Sequence, residues 1–586
     1  MLFRYIRYFL LPFISAGLLL QACSSTTPGS QRDDGPIHLS ILGSNDVHGQ
    51  LLPAAYRGGL VTFSGYVDAL RASGASDAVL LVDAGDMWQG TLESNIDEGQ
   101  PVVEAFNAMG YAAAAIGNHE FDFGPIGAAA IPDDDNPDPR GALRRNASAA
   151  NFPLLAANLV TSTSGIPVVW DNVLPSVIVP VGNLEVGIIG VMTANALRTT
   201  IAANVVGLEV RPLAASIRRE ATKLRAEDVD LVIVLAHAGS RCHAFDDPND
   251  LSTCEMGGEI MQVANALPPG LVDHIVAGHV HDGIAHIVNG ISITSSYSST
   301  RAFSRVDFEF DPVTHKVLGR HVFAPQPLCP YRLNDTGECA FDAIPGVTVP
   351  ARYESRPVVA NPKVVAIADR ARQRAEALKN ERPGAWLEVP FTLEGNPESA
   401  LSNLFTDALL EEIDADIAIH NVSGGIRAYL PAGALTFGAV YEMFPFDNGV
   451  MLLNLSGREL REVIAGQASR GRRRAGFSGM RVQVACDSNG MQVTMTLDNG
   501  HVIKDDDTVR VIANDFLALG GDDILTPAMP AGGFPMDNIG PRTRDVLYDW
   551  FRKQGRLRPE DFATGNRAKW TLPAEIPPAC SLKEIN

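Results

Sequence analysis

The sequence predicts an α/β protein in two parts, a larger N-terminal α/β domain joined by a helix to a smaller C-terminal α/β domain. Three observations predict it. Apolar runs of strand length (Ile37 to Asn45, Ala78 to Val82, Ala112 to Ile116, Asp230 to Ala236) alternate with helical segments, as in βα units whose strands are buried on both faces. The stretch Lys363 to Lys379 has helical apolar spacing without Gly or Pro, and Pro383-Gly384 ends it. After Trp386 a fresh set of strand and helix signals begins. At 586 residues the chain exceeds one core, given ~150 residues per domain. The expected division is a leader over 1–22, a tether over 23–35, a first domain over 36–360, a helical linker over 361–384 and a second domain over 385–575.

Composition narrows the function. A hydrophobic content of 46% with 20% charged residues is that of a globular protein. The net charge of −21 excludes a nucleic-acid polymer as partner, since neutralising a phosphate backbone needs surplus Lys and Arg.

The opening residues read as a targeting segment. Arg4 and Arg7 form a basic region, Phe9 to Leu20 an apolar one, and Leu20-Gln21-Ala22-Cys23 closes it. That ending resembles a bacterial lipobox, which implies cleavage before Cys23, lipid attachment there, and export as a periplasmic or cell-surface lipoprotein, with Ser24 pointing to the outer membrane. Six further cysteines, an even number, suit disulfides in an exported chain; the short polar loops between Cys242 and Cys254 and between Cys329 and Cys339 suggest those pairs, leaving Cys486 with Cys580.

The first strand runs into Asp46-Val47-His48, and in extended chain an Asp-x-His pair puts both ligands on one side. The second ends at Asp83-Ala84-Gly85-Asp86, and the third delivers Gly117-Asn118-His119-Glu120-Phe121-Asp122. Read as extended chain, that hexapeptide turns Asn118 toward a cation and His119 the other way, toward a substrate, with Asp122 near enough to orient it. A further strand ends at His237, and His274 to Ala277 leads to Gly278-His279-Val280-His281. One His after a strand is usually structural, but Asp46, His48, Asp86, Asn118, His237, His279 and His281 all at strand ends point to metal. Oxygen and imidazole donors without thiolate favour Zn, Mn, Fe or Co. Seven ligands are too many for one zinc, whereas two divalent ions sharing Asp86 use them all and can activate water for an in-line displacement.

These ordered motifs resemble those of the calcineurin-like metallophosphoesterases, and more narrowly the exported bacterial 5'-nucleotidase family, which includes UDP-sugar hydrolases and 2',3'-cyclic-nucleotide phosphodiesterases. The resemblance implies a four-layered αββα sandwich and hydrolysis of nucleoside 5'-monophosphates or related nucleotides. It implies one ion on Asp46, His48, Asp86 and His281, another on Asp86, Asn118, His237 and His279, and His119 with Asp122 as the catalytic dyad. The alternatives are UDP-sugar hydrolysis or cyclic-nucleotide diesterase activity on the same site, or a surface lipoprotein that only binds nucleotides.

In the second domain, Ser423-Gly424-Gly425-Ile426-Arg427 lets backbone approach an anion beside a planar guanidinium. Phe446 and Phe516 lie in segments that match the family's base clamp, with Asn448 a substrate contact and Asp522 a ribose acceptor. Two departures stand out. Where the family commonly has Asn the chain has Val422, with Asn421 displaced by one, and Leu409 to Asp414 lacks the second phosphate-binding Arg that relatives often carry. The acidic stretch Asp133 to Asp138 and the basic run Arg470 to Arg474 read as solvated surface.

Overall fold

The structure is a computed structural model and describes residues 35–127, 130–132, 137–394, 398–468, 470, 475–487, 490–530, 533–534, 539–563, 569–573 and 580. The leader, Cys23 and all of the tether but Gly35 lie outside the described residues, as do most of the acidic stretch and of the basic run.

Two sheets face each other in the N-terminal part. The first orders Val317–Val322, Ala302–Phe310, Ile37–Ser44, Ala78–Asp83, Ala113–Ala115, Leu154–Leu155 and Val173–Leu174, with Gln326–Pro327 paired to Ala302–Phe310. The second orders Gly283–Val288, Ile291–Ser296, His274–Ala277, Leu231–His237, Leu184–Met192 and Ser176–Val181. The period of two along each strand divides the core. Leu39, Ile41, Leu80, Val82, Ala113 and Ala115 meet Val186, Ile188, Leu231 and Ile233 between the sheets. Their neighbours Leu42, Leu81 and Ala114 pack outward on Phe63 and Phe106, from the helices Gly59–Ser73 and Gln100–Met109. On the far side Val232, Val234 and Ile275 pack on Ile217 and Ile260, from Leu213–Ala226 and Glu259–Ala266. The result is the expected αββα order, and it explains the continuous apolar strands: neither face meets water.

The linking helix is Pro362–Lys379, capped by the Asn361 side chain, which accepts from Lys363 N at 3.0 Å. It buries Val364, Ile367 and Ala371 in the first core, while Ala375 packs with Leu92 and Tyr441 where the two parts meet. The C-terminal sheet orders Gly476–Ser478, Ile417–His420, Thr508–Asn514, Gly449–Ser456 and Ile539–Arg542. The disulfides are Cys242–Cys254, Cys329–Cys339 and Cys486–Cys580. No helix among the described residues is long and apolar enough to cross a membrane.

Candidate active site

The parallel strands Ile37–Ser44, Ala78–Asp83 and Ala113–Ala115 end together, and the parallel strands Leu231–His237 and His274–Ala277 end facing them. Ligand atoms of Asp46, His48 and His281 lie within 4.8 Å of one another, and so do those of Asp86, His237 and His279. Asn118 joins the second group, its Oδ1 3.0 Å from His237 Nε2. His237 Nε2 is also 3.1 Å from Asp86 Oδ2 and 3.2 Å from His279 Nδ1.

The imidazoles are aimed by backbone carbonyls. His48 Nδ1 donates to Gln89 O at 2.9 Å and His237 Nδ1 to Ala84 O at 3.0 Å, so in the neutral ring the Nε2 lone pair points into the cluster. His48 Nε2 then stands 3.0 Å from His281 Nε2. Two lone pairs at that distance repel unless a proton or a cation lies between them, so the donor set fits a divalent ion in each cluster. Protonation agrees. Burial and the neighbouring His281 push His48 down to about 3, and burial with His237 pushes His279 down to about 4, leaving both neutral at pH 7. Burial opposes ionisation of Asp46, but the adjacent His281 holds it down to about 2. Burial likewise works against a charge on His237, yet Asp86 raises it to about 10; a proton there and a cation at the same point are alternatives.

The extended-chain reading of the motifs is wrong. Asp46, His48, Asp86, His279 and His281 all have left-handed φ, between 48° and 75°, a conformation that costs non-glycine residues about 1–3 kcal/mol each. Asp46 and His48 share a side because the chain kinks at both, pinned by Asp46 N to Gly85 O at 2.9 Å and His48 N to Asp86 O at 3.0 Å. Asn118 is helical, with φ −79° and ψ −33°, and His119–Phe121 forms a 3-10 turn. Glu120, passed over in the sequence, holds that turn. Its carboxylate accepts from Asp86 N at 2.9 Å, Met87 N at 2.8 Å and Gly117 N at 2.7 Å, fastening two ligand loops together. A carboxylate next to a buried Phe and two residues from a ligand was the available signal.

His119 Nδ1 lies 2.6 Å from Asp122 Oδ2, and Thr200 Oγ1 donates to Asp122 Oδ1 at 2.7 Å. Burial works against a charge on His119, but Asp122 and Asp86 raise it above its ordinary value.

The C-terminal groups reach the same place. One cavity of about 290 Å³ is lined by Asp86, Asn118, His119 and His279 from the first part and by Arg427, Phe446, Asn448, Phe516 and Asp522 from the second. Arg427 Cζ sits 5.2 Å from the Phe446 ring centroid, and that ring is 6.0 Å from the His119 ring. Asn448 Nδ2 donates to Asp515 Oδ1 at 2.6 Å. The displaced Asn421 lines the cavity after all and donates to Asp522 Oδ2 at 2.7 Å, while Val422 is buried in the core. Gln89 Nε2 donates to Pro445 O at 2.9 Å across the two parts. Sequence alone assigned no site role to Gln89 or to Asn421, which stood only as displaced; their roles depend on how the two parts meet.

Residues 39–283 match the family described as "Calcineurin-like phosphoesterase" and residues 384–529 the one described as "5'-nucleotidase, C-terminal domain". Fold, ligand set and the first of these matches define the class: a metal-dependent phosphoric ester hydrolase. The second is specific, and the chain belongs to the 5'-nucleotidase family of calcineurin-like metallophosphoesterases. It is 26% identical over 544 residues to "Cell wall protein Lmo0130" of Listeria monocytogenes, a match covering 85% of this chain and 65% of that protein. With the "5'-nucleotidase" of Vibrio cholerae it shares 25% identity over 540 residues, 87% of this chain and 90% of that one. The 5'-nucleotidase precursor of Thermus thermophilus has the same fold, with a TM-score of 0.68 at 23% identity over 92% of this chain and 100% of that one.

Proposed function

We propose that the protein is an exported phosphohydrolase releasing phosphate from nucleoside 5'-monophosphates and related nucleotides, with two divalent ions held by the seven ligands named above. One observation carries this reading: both ligand clusters open on the cavity that also holds two aromatic rings and an arginine from the other part of the chain. Ions bound there supply Lewis acidity and an activated water. The N and O donors favour Zn or Mn over Mg or Ca.

The residues do the rest. Asp122, steadied by Thr200, accepts from His119 Nδ1 and leaves Nε2–H for the cavity. The Asp122 carboxylate favours a proton on the ring, which the leaving oxygen can take. Arg427 offers its fork to the phosphoryl oxygens, Phe446 and Phe516 stack on the base, and Asp522, fixed by Asn421, accepts from ribose. The catalytic, ligand and substrate roles are part of the same proposal, as are export, lipid attachment at Cys23 and an outer-membrane location, which rest on the leader and the disulfides. The binding-only alternative predicts a missing ligand, and all seven gather.

The test is phosphate release by metal-loaded protein from AMP, UDP-glucose, 2',3'-cyclic AMP and p-nitrophenyl phosphate. AMP turnover above that of p-nitrophenyl phosphate is expected. Turnover of p-nitrophenyl phosphate alone would refute the nucleotide reading.

A further inference from the structure

Cys242 follows the ligand His237 by five residues and His286 follows the ligand His281 by five, so the chain that leaves each of these ligands goes on to a second cluster. Ligand atoms of Cys242, Cys254 and His286 all lie within 4.8 Å of one another. Among the described residues this is the one such group of three apart from the two at the cavity, and it brings sulfur where they bring carboxylate. Cys242 and His286 are buried, and Cys254 is half-buried. The sulfurs are joined as a disulfide, and a disulfide lacks the thiolate that binds a cation.

His286 belongs to the strand Gly283–Val288, and the period of two turns it the same way as Ile284 and Val288, which pack in the core beneath Glu259–Ala266. A polar ring on an apolar face needs partners. Nδ1 accepts from Ala285 N at 3.2 Å, whereas Nε2 has no hydrogen-bond partner among the described residues. Burial pushes the ring below its ordinary value, against the Ala244 carbonyl that accepts from it, so the imidazole is neutral at pH 7 with a lone pair to give.

The loop over this ring is held by more than its sulfur bond. Cys242 N donates to Gly283 O at 3.0 Å, Glu255 N to Arg241 O at 2.9 Å, Cys254 N to Leu251 O at 3.0 Å and Ile287 N to Pro248 O at 2.7 Å. Ala244 N donates to Thr253 Oγ1 at 3.1 Å, and the Phe245 ring stands 5.9 Å from the His286 ring. With the bond opened, these contacts keep both cysteines beside the imidazole. Two sulfurs on one tetrahedral zinc stand about 3.8 Å apart, within the spacing that the three ligand atoms already have. A dication with two thiolates and a neutral imidazole carries no net charge, which suits a buried place.

We infer that Cys242, Cys254 and His286 form a third metal site, for a thiophilic cation such as zinc, that opens only when the Cys242–Cys254 bond is reduced. The reductant is a dithiol. One of its thiolates attacks Sγ of Cys254, the half-buried sulfur; the sulfur–sulfur bond breaks and the bonding pair leaves on Cys242 Sγ. The second thiolate attacks the mixed disulfide, and Cys254 departs as a thiolate. Two electrons have then passed to the protein, the dithiol is oxidised to its own disulfide, and the two protons it gave up stay in solution once the cation holds both thiolates. Ligation through Nε2 sets the ring proton on Nδ1, with loss of the Ala285 contact, and water takes the fourth position. None of this depends on which ester the dinuclear centre hydrolyses.

In the full metal-loaded protein, reduced with dithiothreitol and desalted without oxygen, added cobalt should give a thiolate-to-metal charge-transfer band, which oxygen and nitrogen ligands at the dinuclear centre cannot give. Elemental analysis should find one zinc more per chain than in the oxidised protein. Cys242→Ser with Cys254→Ser should lose the band, and His286→Ala should weaken the added ion about tenfold or more, read by competition with a chelator. No band in the reduced wild type overturns the inference. So does a full band in the double serine variant, which would assign it to the other cysteines, or an unchanged affinity in His286→Ala. Because the dithiol opens all three disulfides, a second measurement locates the ion. Zinc should slow alkylation of Cys242 and Cys254 by iodoacetamide, followed by peptide mass spectrometry, about tenfold more in the wild type than in His286→Ala. Equal slowing in the two proteins, or slowing that survives in denaturant, would show thiols of an unfolded loop and overturn the site.

Discussion

The ligand edge of the N-terminal part and the clamp side of the C-terminal part face one cavity, yet they are built differently. Each ligand loop leaves a buried strand and is sewn to its neighbours through its main-chain amides, by amide-to-carbonyl bonds such as Asp46 N to Gly85 O and by the three amides that the buried Glu120 carboxylate gathers. The clamp side relies on short turns and side chains. Phe516 lies in a four-residue helix, Asp515–Ala518, and Asp522 in a 3-10 turn steadied by Asn421. Ion positions must hold to a fraction of an ångström to share a nucleophile, whereas stacking tolerates variation in the base. The edge that performs the chemistry is over-determined, and the side that selects the substrate can change residue by residue.

Substitutions on the two sides should therefore fail differently. The largest effect is expected at Asp86, which lies in the His237 cluster and is proposed to bridge both ions: Asp86→Ala should lower turnover by about 10³-fold or more and reduce bound metal, read by elemental analysis. Retention of two ions per chain would break the shared-ligand assignment. Next comes His119→Ala, expected to keep both ions and lose about 10²–10⁴-fold in kcat. Wild-type turnover in that variant removes His119 from the chemistry. On the other side, Phe446→Ala and Phe516→Ala should each weaken nucleotide binding by about 1–3 kcal/mol, raising KM for AMP while sparing p-nitrophenyl phosphate. Equal losses on both substrates would mean that the rings shape the ion centre.

The smallest effect compares one buried imidazole in each part. His274 and His420 are both pushed down to about 3, by burial first in each case. His274 Nδ1 bonds Ser292 O at 3.0 Å, while His420 stacks on Phe405 at 3.9 Å and its Nε2 has no hydrogen-bond partner among the described residues. An unfolded imidazole takes its proton near the ordinary 6.5. Each His thus contributes stability that is complete above about 6.5 and is lost as pH falls toward 3. From pH 8 to pH 5 each accounts for about 2 kcal/mol. Denaturant unfolding of His420→Phe should show a shallower acid decline, with the remainder due to His274 and its like. An unaltered slope would show that His420 protonates without unfolding the chain.

What the sequence disclosed follows the same division. Strand ends are written in apolar runs, so the seven ligands and the hexapeptide could be placed from residue order. The geometry between them could not, because the left-handed φ at Asp46 and His48 goes with tertiary bonds to Gly85 and Asp86 that residue order does not reveal. The extended-chain reading failed for that reason. Asn421 looked misplaced by one residue, but the turn Val422–Gly425 brings its amide into the cavity.

The five left-handed ligand residues carry one more implication. A chain bent against its preference at so many points regains that cost most directly from whatever binds the bent form, and a tight ligand stabilises in proportion to the logarithm of its free concentration. Resistance to heat should then report trace-metal supply. In a chelating medium the molecule would become labile at this edge first, and scarcity would show as shortened lifetime as well as idle enzyme.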